Sequence, residues 1–307
     1  MSSPSASPEY LVVAGPTAVG KTRVAIELAE RLAGEIVIAD SRQVYRGIDI
    51  ATAKPTAAER ARAPHHLLDI VKIGERYTAA DFAADAGRAI DEIRSRGRVP
   101  VVCGGTGLYL AALAGALDPI EDAVGEAERV AARARVGEIP PDQRHAVLAR
   151  VDPVSAERLP VADRQRVDRA LEVWFLTGAP LSTRQSGGSE PRAHLAVRLV
   201  RPRAELVERI GRRLEAMLEA GLEREARALW AAGRSPDEPG LDTIGVQEWW
   251  PCFEGVQVRE QTIEAIRAAT VRYAKRQSTW FRNQGDYRPL PADDAAPAIA
   301  ELWRGRR

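Results

Sequence analysis

The sequence predicts an α/β fold, in which helices flank a parallel sheet and a helical insertion interrupts the sheet domain. In residues 9–118 and again in residues 192–307, short apolar runs typical of buried strands alternate with amphipathic helical patterns. Between them, residues 119–191 lack strand-like runs, and Arg, Ala and Glu recur at helical spacings. A chain of 307 residues is long enough for both parts.

The first strand and the loop after it carry the most informative motif of the chain. Residues 9–14 are a short apolar run, and the residues that follow have the pattern G-x-x-x-x-G-K-T. In this pattern, glycines let backbone N–H groups surround phosphate oxygens, while the lysine supplies positive charge and the threonine a hydroxyl suited to Mg²⁺. The motif therefore predicts a P-loop that binds a diphosphate or a triphosphate, formed by Gly15, Pro16, Thr17, Ala18, Val19, Gly20, Lys21 and Thr22.

The helix after the P-loop supports this prediction. It begins near Lys21 and carries Val24, Leu28 and Leu32 at a spacing of four residues, and Gly34 is predicted to stop it. A helix that begins at this point directs the positive end of its dipole at a bound anion.

Two further strands are predicted to end at the same edge of the sheet. Glu35 to Ala39 is followed by Asp40, and Arg98 to Cys103 is followed by Gly104 to Gly107. In open α/β sheets the ligand crevice lies beyond the carboxyl ends of the strands, so we expect Asp40 beside the P-loop; an Asp here also commonly caps a turn. P-loop ATPases and GTPases often end a strand with an Asp for Mg²⁺, and the glycines and threonine found instead argue against an ordinary NTPase.

The remaining elements of the sheet domain are less distinctive. Residues 44–78 are predicted to be irregular, and a capped helix follows over residues 78–96. After the insertion, residues 194–200 predict a returning strand. Residues 203–232 predict a long helix, bent at Gly221, whose apolar stripe indicates core packing.

Composition is that of an ordinary globular protein without a membrane span. The hydrophobic content is 45% and the charged content 28%, and no apolar run approaches the length of a bilayer-spanning helix. Residues 1–8 are polar and predict a disordered tail rather than a secretory signal. Two cysteines, Cys103 and Cys252, do not suggest a disulfide framework, so we expect a cytoplasmic protein. No dimerisation stripe is evident, and we expect a monomer.

The distribution of charge is more informative than the net charge of +1. In the insertion, Arg164, Arg166 and Arg169 cluster around Gln165, although a solvated helix face gives the same pattern. In residues 261–284, basic side chains are interleaved with aromatic ones, which suits nucleic-acid backbones and bases. Aromatic residues buried beneath a surface helix would look identical in sequence.

Several segments together resemble the tRNA dimethylallyltransferases, also called tRNA isopentenyltransferases. They are Gly15 to Thr22, Asp40 to Pro55, Gly104 to Tyr109 and Ala274 to Gln277, supplemented by Pro64 to Asp69 and Arg169 to Val173. The resemblance spans about residues 10–285. Two positions depart from it, since Ala51 stands where the family usually has Gly, and Val246 where it usually has Tyr.

The resemblance implies a P-loop NTPase-like sheet that transfers a dimethylallyl group from its diphosphate to N6 of adenosine 37, next to the tRNA anticodon. Asp40 would be the catalytic base that accepts the proton of the amine, and Thr106 would lie beside the reacting centre. The P-loop, Arg213 and a Mg²⁺ near Thr22 would stabilise the departing pyrophosphate. The implied tRNA-binding residues are Asp40, Ser41, Arg42, Gln43 and Thr106 around a flipped adenine, Arg129, Gln165, Arg166, Val167, Asp168 and Arg169 on the anticodon stem-loop, and Lys275 and Arg276.

Three other functions remain open at this point. An adenylate isopentenyltransferase would use free AMP, ADP or ATP, but a free nucleotide needs neither the helical insertion nor the basic segment of residues 261–284. A P-loop kinase of small metabolites would transfer the γ-phosphate of ATP, and the Gly-Gly-Thr strand end argues against it. A non-catalytic RNA-binding protein would not need a complete donor site with Asp40 at its rim.

Overall fold

The computed structural model describes residues 7–115, 125–184, 192–284 and 287–306. The chain divides into two compact units, Met1–Leu113 with Arg192–Arg307, called the sheet unit here, and Ala114–Pro191, called the helical unit. Most of the predicted tail and both ends of the predicted insertion, residues 119–124 and 185–191, lie outside the described residues. Within the described ranges, no helix is long and apolar enough to cross a membrane.

Within the described residues, six strands form one parallel sheet. They are β1 (Tyr10–Ala14), β2 (Gly34–Ala39), β3 (His65–His66), β4 (Val99–Gly104), β5 (His194–Val200) and β6 (Arg288–Pro291). Their order is β3-β2-β4-β1-β5-β6, and each neighbouring pair is parallel. Every residue of β1, β2 and β4 is buried, as expected of central strands with helices on both faces. The predicted α/β class is confirmed.

Helices cover both faces of the sheet and make up the helical unit. In chain order they are α1 (Lys21–Leu32), α2 (Ala57–Arg62), α3 (Ala79–Ser95), α4 (Gly107–Leu113), α5 (Glu126–Gly137), α6 (Arg144–Val151), α7 (Pro153–Arg158), α8 (Arg164–Thr177), α9 (Leu181–Arg184), α10 (Arg203–Ala220), α11 (Leu222–Ala231), α12 (Trp250–Phe253), α13 (Arg259–Asn283) and α14 (Ala295–Arg304). Helices α5 to α9 belong to the helical unit and the others to the sheet unit.

The core of the sheet unit lies on both faces of the sheet. Side chains alternate along β1, so Leu11 and Val13 pack in one cluster with α1 and α14, while Tyr10 and Val12 pack in another with α3 and α4. Burying an aliphatic side chain of this size contributes roughly 1.5–3 kcal/mol. Because helices cover both faces of the sheet, its accessible part is the carboxyl edge, where β1, β2 and β4 continue into loops.

The first helix does not end where its sequence predicts. It ends at Leu32, followed by Ala33 in the left-handed region with φ 51°, and Gly34 is already the first residue of β2. A Cβ on Gly34 would lie 2.6 Å from the carbonyl oxygen of Val99, so this glycine allows β2 and β4 to approach closely. The prediction that Gly34 stops the helix is therefore wrong.

The predicted bend at Gly221 is found, and the segment of residues 44–78 is more structured than predicted. The expected long helix is divided into α10 and α11 by Gly221, whose φ is 105°. The segment expected to be irregular contains α2 and β3, and it is ordered by the buried side chain of Lys54. Its Nζ lies 2.6 Å from the carboxylates of Asp49 and Asp69 and from the carbonyl oxygen of Tyr45. These partners offset the cost of burying the charge.

The helical unit has its own apolar core. Leu148, Val167 and Leu171 are among its buried members. The carboxylate of Asp152, which is fully buried, accepts hydrogen bonds from Ser155 in α7 and from the backbone N–H of Ser182 in α9. This carboxylate caps α7 and fixes α9 against it.

Candidate functional site

A cavity of about 810 Å³ opens at the carboxyl edge of the sheet. Its lining comes from the P-loop, the turn after β2, the loop of residues 51–53, α10, the loop of residues 242–247 and α13. All these segments belong to the sheet unit. The position agrees with the general rule for open parallel sheets, in which loops beyond the strand ends form the ligand site.

The backbone of the P-loop is shaped for an anion. Gly15, Ala18 and Gly20 all have positive φ, at 147°, 62° and 109°, and α1 begins directly after Gly20, which offers no side chain to cap it. The first N–H groups of α1 therefore face the cavity side, where an anion can accept from them. The buried side chain of Val19 packs in the core of the sheet unit, so this residue contributes to the site only through its backbone.

Two half-buried basic side chains lie at the P-loop. The Nζ atom of Lys21 donates to the carbonyl oxygens of Gly15 and Pro16 at 3.0 and 2.8 Å, and burial lowers the pKa of its ammonium group to about 8. Arg213 donates to the hydroxyl of Thr17 at 3.2 Å. Burial lowers the pKa of its guanidinium too, although nearby Asp40 acts in the opposite direction. A bound anion would offset the free-energy cost of removing these two positive charges from water.

A second arginine on α10 also binds the P-loop. Arg209 lies one turn before Arg213, and its Nε donates to the carbonyl oxygen of Ala18 at 2.8 Å. The spacing of four residues predicts that both side chains share a face of the helix, and both reach the same loop. Arg209 was not among the phosphate-binding residues predicted from the sequence.

Asp40 follows β2 and lines the cavity, as its position in sequence predicts. Its Oδ1 accepts hydrogen bonds from the backbone N–H groups of Arg42 at 2.9 Å and Gln43 at 3.4 Å. The carboxylate therefore caps the turn and faces the cavity at the same time. One oxygen is fixed by the backbone, which orients the other.

The neighbours of Asp40 are engaged by other parts of the sheet unit. Arg42 forms a two-pronged ion pair with the exposed Asp242, whose Oδ2 lies 2.7 Å from Nη2. Gln43 donates from its side chain to the carbonyl oxygen of Thr52 at 3.0 Å. Ser41 donates its backbone N–H to the hydroxyl of Thr106 at 3.0 Å. These contacts hold the turn after β2 in one conformation.

The glycines after β4 serve close packing within the protein. A Cβ on Gly104 would lie 2.0 Å from the carbonyl oxygen of Ala39, one on Gly105 2.4 Å from Nε2 of Gln277, and one on Gly107 2.4 Å from the ring of Trp280. Close packing within the protein therefore accounts for these three glycines. Thr106 is not among the residues that line the cavity, but its hydroxyl accepts a hydrogen bond from the backbone N–H of Ser41, which does line it.

Tyr273 is a cavity residue that the sequence reasoning missed. It lies on α13 beside Asp40 and Thr106, and burial is the main cause that raises the pKa of its phenol to about 12. The guanidinium of Arg276 lies 5.6 Å from the centre of its ring. The available signal was its spacing of four residues from Gln277 in a motif already singled out, which places both side chains on one face of the helix.

The apolar half of the cavity was also missed. Leu214 and Met217 on α10, Leu222 on α11, Ile244 in the following loop and Ile266 on α13 line it. The sequence indicates only core packing for the apolar stripe of α10, because a core residue and a cavity residue look alike in sequence. The cavity thus joins a cationic side to an apolar side.

The predicted tRNA-binding residues of the helical unit are only partly presented to solvent. Gln165 and Arg166 are exposed on α8, whereas Val167 is 2% exposed and packs in the core of this unit, so its side chain is not presented to a tRNA. Asp168 pairs with Arg144 at 2.6 Å. The other residues of this set are half-buried, namely Arg129 and Arg169. In the sheet unit, Lys275 and Arg276 are exposed on α13.

Comparison with known proteins identifies the family. A family model described as IPP transferase matches residues 43–284. A tRNA dimethylallyltransferase of Halorhodospira halophila is 48% identical over 295 residues, which cover 94% of each chain. The chain belongs to the tRNA dimethylallyltransferase family. This protein is therefore a prenyltransferase, and the resemblance noted in the sequence is confirmed.

Solved structures of relatives agree with this tRNA dimethylallyltransferase fold. The tRNA isopentenylpyrophosphate transferase of Bacillus halodurans superimposes with a TM-score of 0.71 at 37% identity, covering 97% of this chain and 96% of that one. A eukaryotic dimethylallyltransferase described as acting on tRNA gives a TM-score of 0.82 at 29% identity, covering 94% of this chain and 75% of that one.

Proposed function

We propose that this protein transfers the dimethylallyl group of dimethylallyl diphosphate to N6 of adenosine 37 in tRNA, next to the anticodon. The observation that carries the proposal is the cavity itself, which joins a cationic P-loop side to an apolar side and has Asp40 in its lining. A prenyl diphosphate has this same division into an anionic and an apolar half. The names of the relatives, which are tRNA dimethylallyltransferases, support tRNA as the acceptor.

The proposed reaction forms the bond from N6 to C1 of the donor and breaks the bond from C1 to the diphosphate oxygen. An allylic carbon can carry positive charge, so the main requirement is to stabilise the departing pyrophosphate. The P-loop N–H groups and the half-buried side chains of Lys21 and Arg213 meet this requirement. The amine proton passes to Asp40, because delocalisation into the ring makes an exocyclic adenine amine a poor nucleophile until it loses that proton.

The oxygen atoms near the P-loop fit a Mg²⁺ ion that arrives with the diphosphate. The Thr22 hydroxyl and the Asp40 carboxylate both line the cavity. In the part of the chain that the structure describes, no group of three or more His, Cys, Asp or Glu side chains could hold a metal ion. Mg²⁺ is commonly bound by one or two protein oxygens together with phosphates and water. We therefore propose Thr22 as its protein ligand, and the bound ion would neutralise charge on the diphosphate.

We propose that the acceptor tRNA contacts the turn after β2 and the basic surfaces of each unit. Ser41 and Gln43 would hold the edge of the flipped adenine beside Asp40, and Arg42 would exchange its ion pair with Asp242 for a phosphate. In the helical unit, Arg129 and the exposed part of the Gln165 to Arg169 segment would contact the anticodon stem-loop. Lys275 and Arg276 would contact the backbone from α13. We further propose that the protein is cytoplasmic and monomeric. Size-exclusion chromatography with light scattering tests whether it is a monomer.

The test incubates the purified protein with dimethylallyl diphosphate, Mg²⁺ and an unmodified tRNA that carries adenosine at position 37. Digestion to nucleosides and mass spectrometry are expected to find prenylated adenosine. The matched control is the same tRNA with guanosine at position 37, which is expected to stay unmodified. Absence of product with the first tRNA, or equal product with both, would contradict the proposal.

A further inference from the structure

Gln277 joins the P-loop to the loop after β4. It lies on α13, and its side chain is buried, with 7% exposure. Its Oε1 accepts a hydrogen bond from the backbone N–H of Thr17 in the P-loop at 2.8 Å. Its Nε2 donates to the carbonyl oxygen of Gly105 after β4 at 2.9 Å. One amide group therefore connects α13 to the P-loop and to the strand end beside it.

The surroundings of Gln277 favour an amide at this position. Thr17 presents a donor and Gly105 an acceptor, and a primary amide is the neutral side-chain group that satisfies both with its two terminal atoms. A Cβ on Gly105 would lie 2.4 Å from Nε2 of Gln277, so the glycine makes room for this hydrogen bond. An unsatisfied partner on either side would carry the full cost of a buried polar group.

The two hydrogen bonds of Gln277 connect it to different parts of the site. One part is proposed to hold the donor and the other to accept the proton. Thr17 accepts from Arg213 through its hydroxyl at 3.2 Å, so its position sets the position of a guanidinium at the donor site. Gly105 precedes Thr106, whose hydroxyl accepts from the backbone N–H of Ser41, directly after Asp40. Gln277 thus lies between the groups proposed to hold the diphosphate and the group proposed to accept the proton.

We propose that Gln277 is a positioning residue for the transfer reaction. It fixes the position of the P-loop relative to the Asp40 side of the cavity. It acts through the backbone of Thr17 and Gly105, and the inference rests on the function proposed above. Misplacement of reacting groups by about 1 Å costs on the order of 10²-fold in rate. Loss of Gln277 is therefore expected to affect the chemical step more than tRNA binding.

The test compares two variants with the unchanged protein. Gln277→Met keeps the volume and removes both hydrogen bonds, and Gln284→Met makes the same change at an exposed position near the end of the same helix. Melting temperature, tRNA affinity, kcat, and KM for dimethylallyl diphosphate are measured for each. For Gln277→Met we expect kcat to fall roughly 10²-fold and the donor KM to rise, with tRNA affinity within about twofold. Gln284→Met is expected to behave as the unchanged protein.

A third variant separates positioning from general stability. In Gln277→Glu, a protonated carboxyl group can still accept from Thr17 and donate to Gly105, whereas the ionised group places a second acceptor against the Gly105 carbonyl. Its kcat, expressed as a fraction of the unchanged protein at the same pH, is expected to rise as the pH falls. Gln277→Met is expected to show no such recovery.

Two results would overturn the inference. One is an active Gln277→Met variant with unchanged kcat and donor KM, and the other is a loss of activity that follows only a loss of folded protein, with no recovery of Gln277→Glu at low pH. A failure of the proposed function is distinct, because the unchanged protein would then modify no tRNA at all.

Discussion

Replacing Asp40 with Asn is the substitution that separates chemistry from binding most cleanly. Oδ1 of Asp40 accepts from the backbone N–H groups of Arg42 and Gln43 at 2.9 and 3.4 Å. The amide oxygen of Asn can accept the same two hydrogen bonds, so the turn after β2 is expected to keep its conformation. The atom that changes is the other oxygen, which becomes an NH₂ group that cannot accept a proton.

The size of the effect follows from the role assigned to that oxygen. A positioned general base contributes roughly 10²–10⁴-fold to rate, which is about 2.7–5.4 kcal/mol at about 1.36 kcal/mol per factor of ten. We therefore expect Asp40→Asn to slow single-turnover transfer by roughly 10²-fold or more. The affinity for tRNA is expected to be nearly unchanged, because the fold of the turn is retained.

Asp242→Asn is the matched control for this experiment. Asp242 also lines the cavity, but it is exposed and its carboxylate pairs with Arg42. Exposed ion pairs contribute roughly 0–1 kcal/mol, so the rate is expected to fall by no more than about fivefold. Saturating donor and tRNA in a single-turnover assay isolate the chemical step. An Asp40→Asn variant as fast as the unchanged protein would refute the assignment of Asp40 as the base.

Three further predictions follow from the contacts described above. Gly34→Ala is expected to lower the free energy of unfolding by roughly 1–3 kcal/mol, because its Cβ meets a carbonyl at 2.6 Å, whereas Gly211→Ala, in open space on α10, should raise it by roughly 0.5–1 kcal/mol in urea titrations. Burial lowers the pKa of Lys21 to about 8, so the free protein loses this charge as pH rises through 8. The affinity for dimethylallyl diphosphate measured by calorimetry should then fall by up to about tenfold per pH unit, and Lys21→Gln should abolish that dependence. Arg166→Ala should weaken tRNA binding and its salt dependence in filter-binding assays, without changing affinity for the donor.

The sheet could be predicted largely from sequence because its central strands are buried on both faces. Such strands appear as short continuous apolar runs, which predict β1, β2 and β4, whereas the alternating pattern of residues 194–200 predicts β5. β6 was missed because Arg288 to Pro291 has no apolar pattern, and its residues become a strand by pairing with β5 at the edge of the sheet. Edge pairing of this kind depends on tertiary contacts rather than on local preference.

The residues of the candidate site also differ in whether the sequence alone predicts them. The P-loop and Asp40 could be predicted because each is recognised from residues adjacent in sequence. Tyr273 and Gln277 were not assigned roles, because they reach the loops near residues 17 and 40 only through the packing of α13. Val167 shows the converse, since a residue inside a basic cluster turned out to face the core of the helical unit.

The central claim is that the P-loop holds a prenyl diphosphate whose acceptor is an adenosine of tRNA. The most direct measurement offers equal concentrations of unmodified tRNA, AMP and ATP to the protein, with one limiting pool of dimethylallyl diphosphate and Mg²⁺, and follows the donor into products by mass. We predict that the prenyl group appears in tRNA and that AMP and ATP are recovered unchanged. Prenylated AMP or ATP with unmodified tRNA would contradict the account.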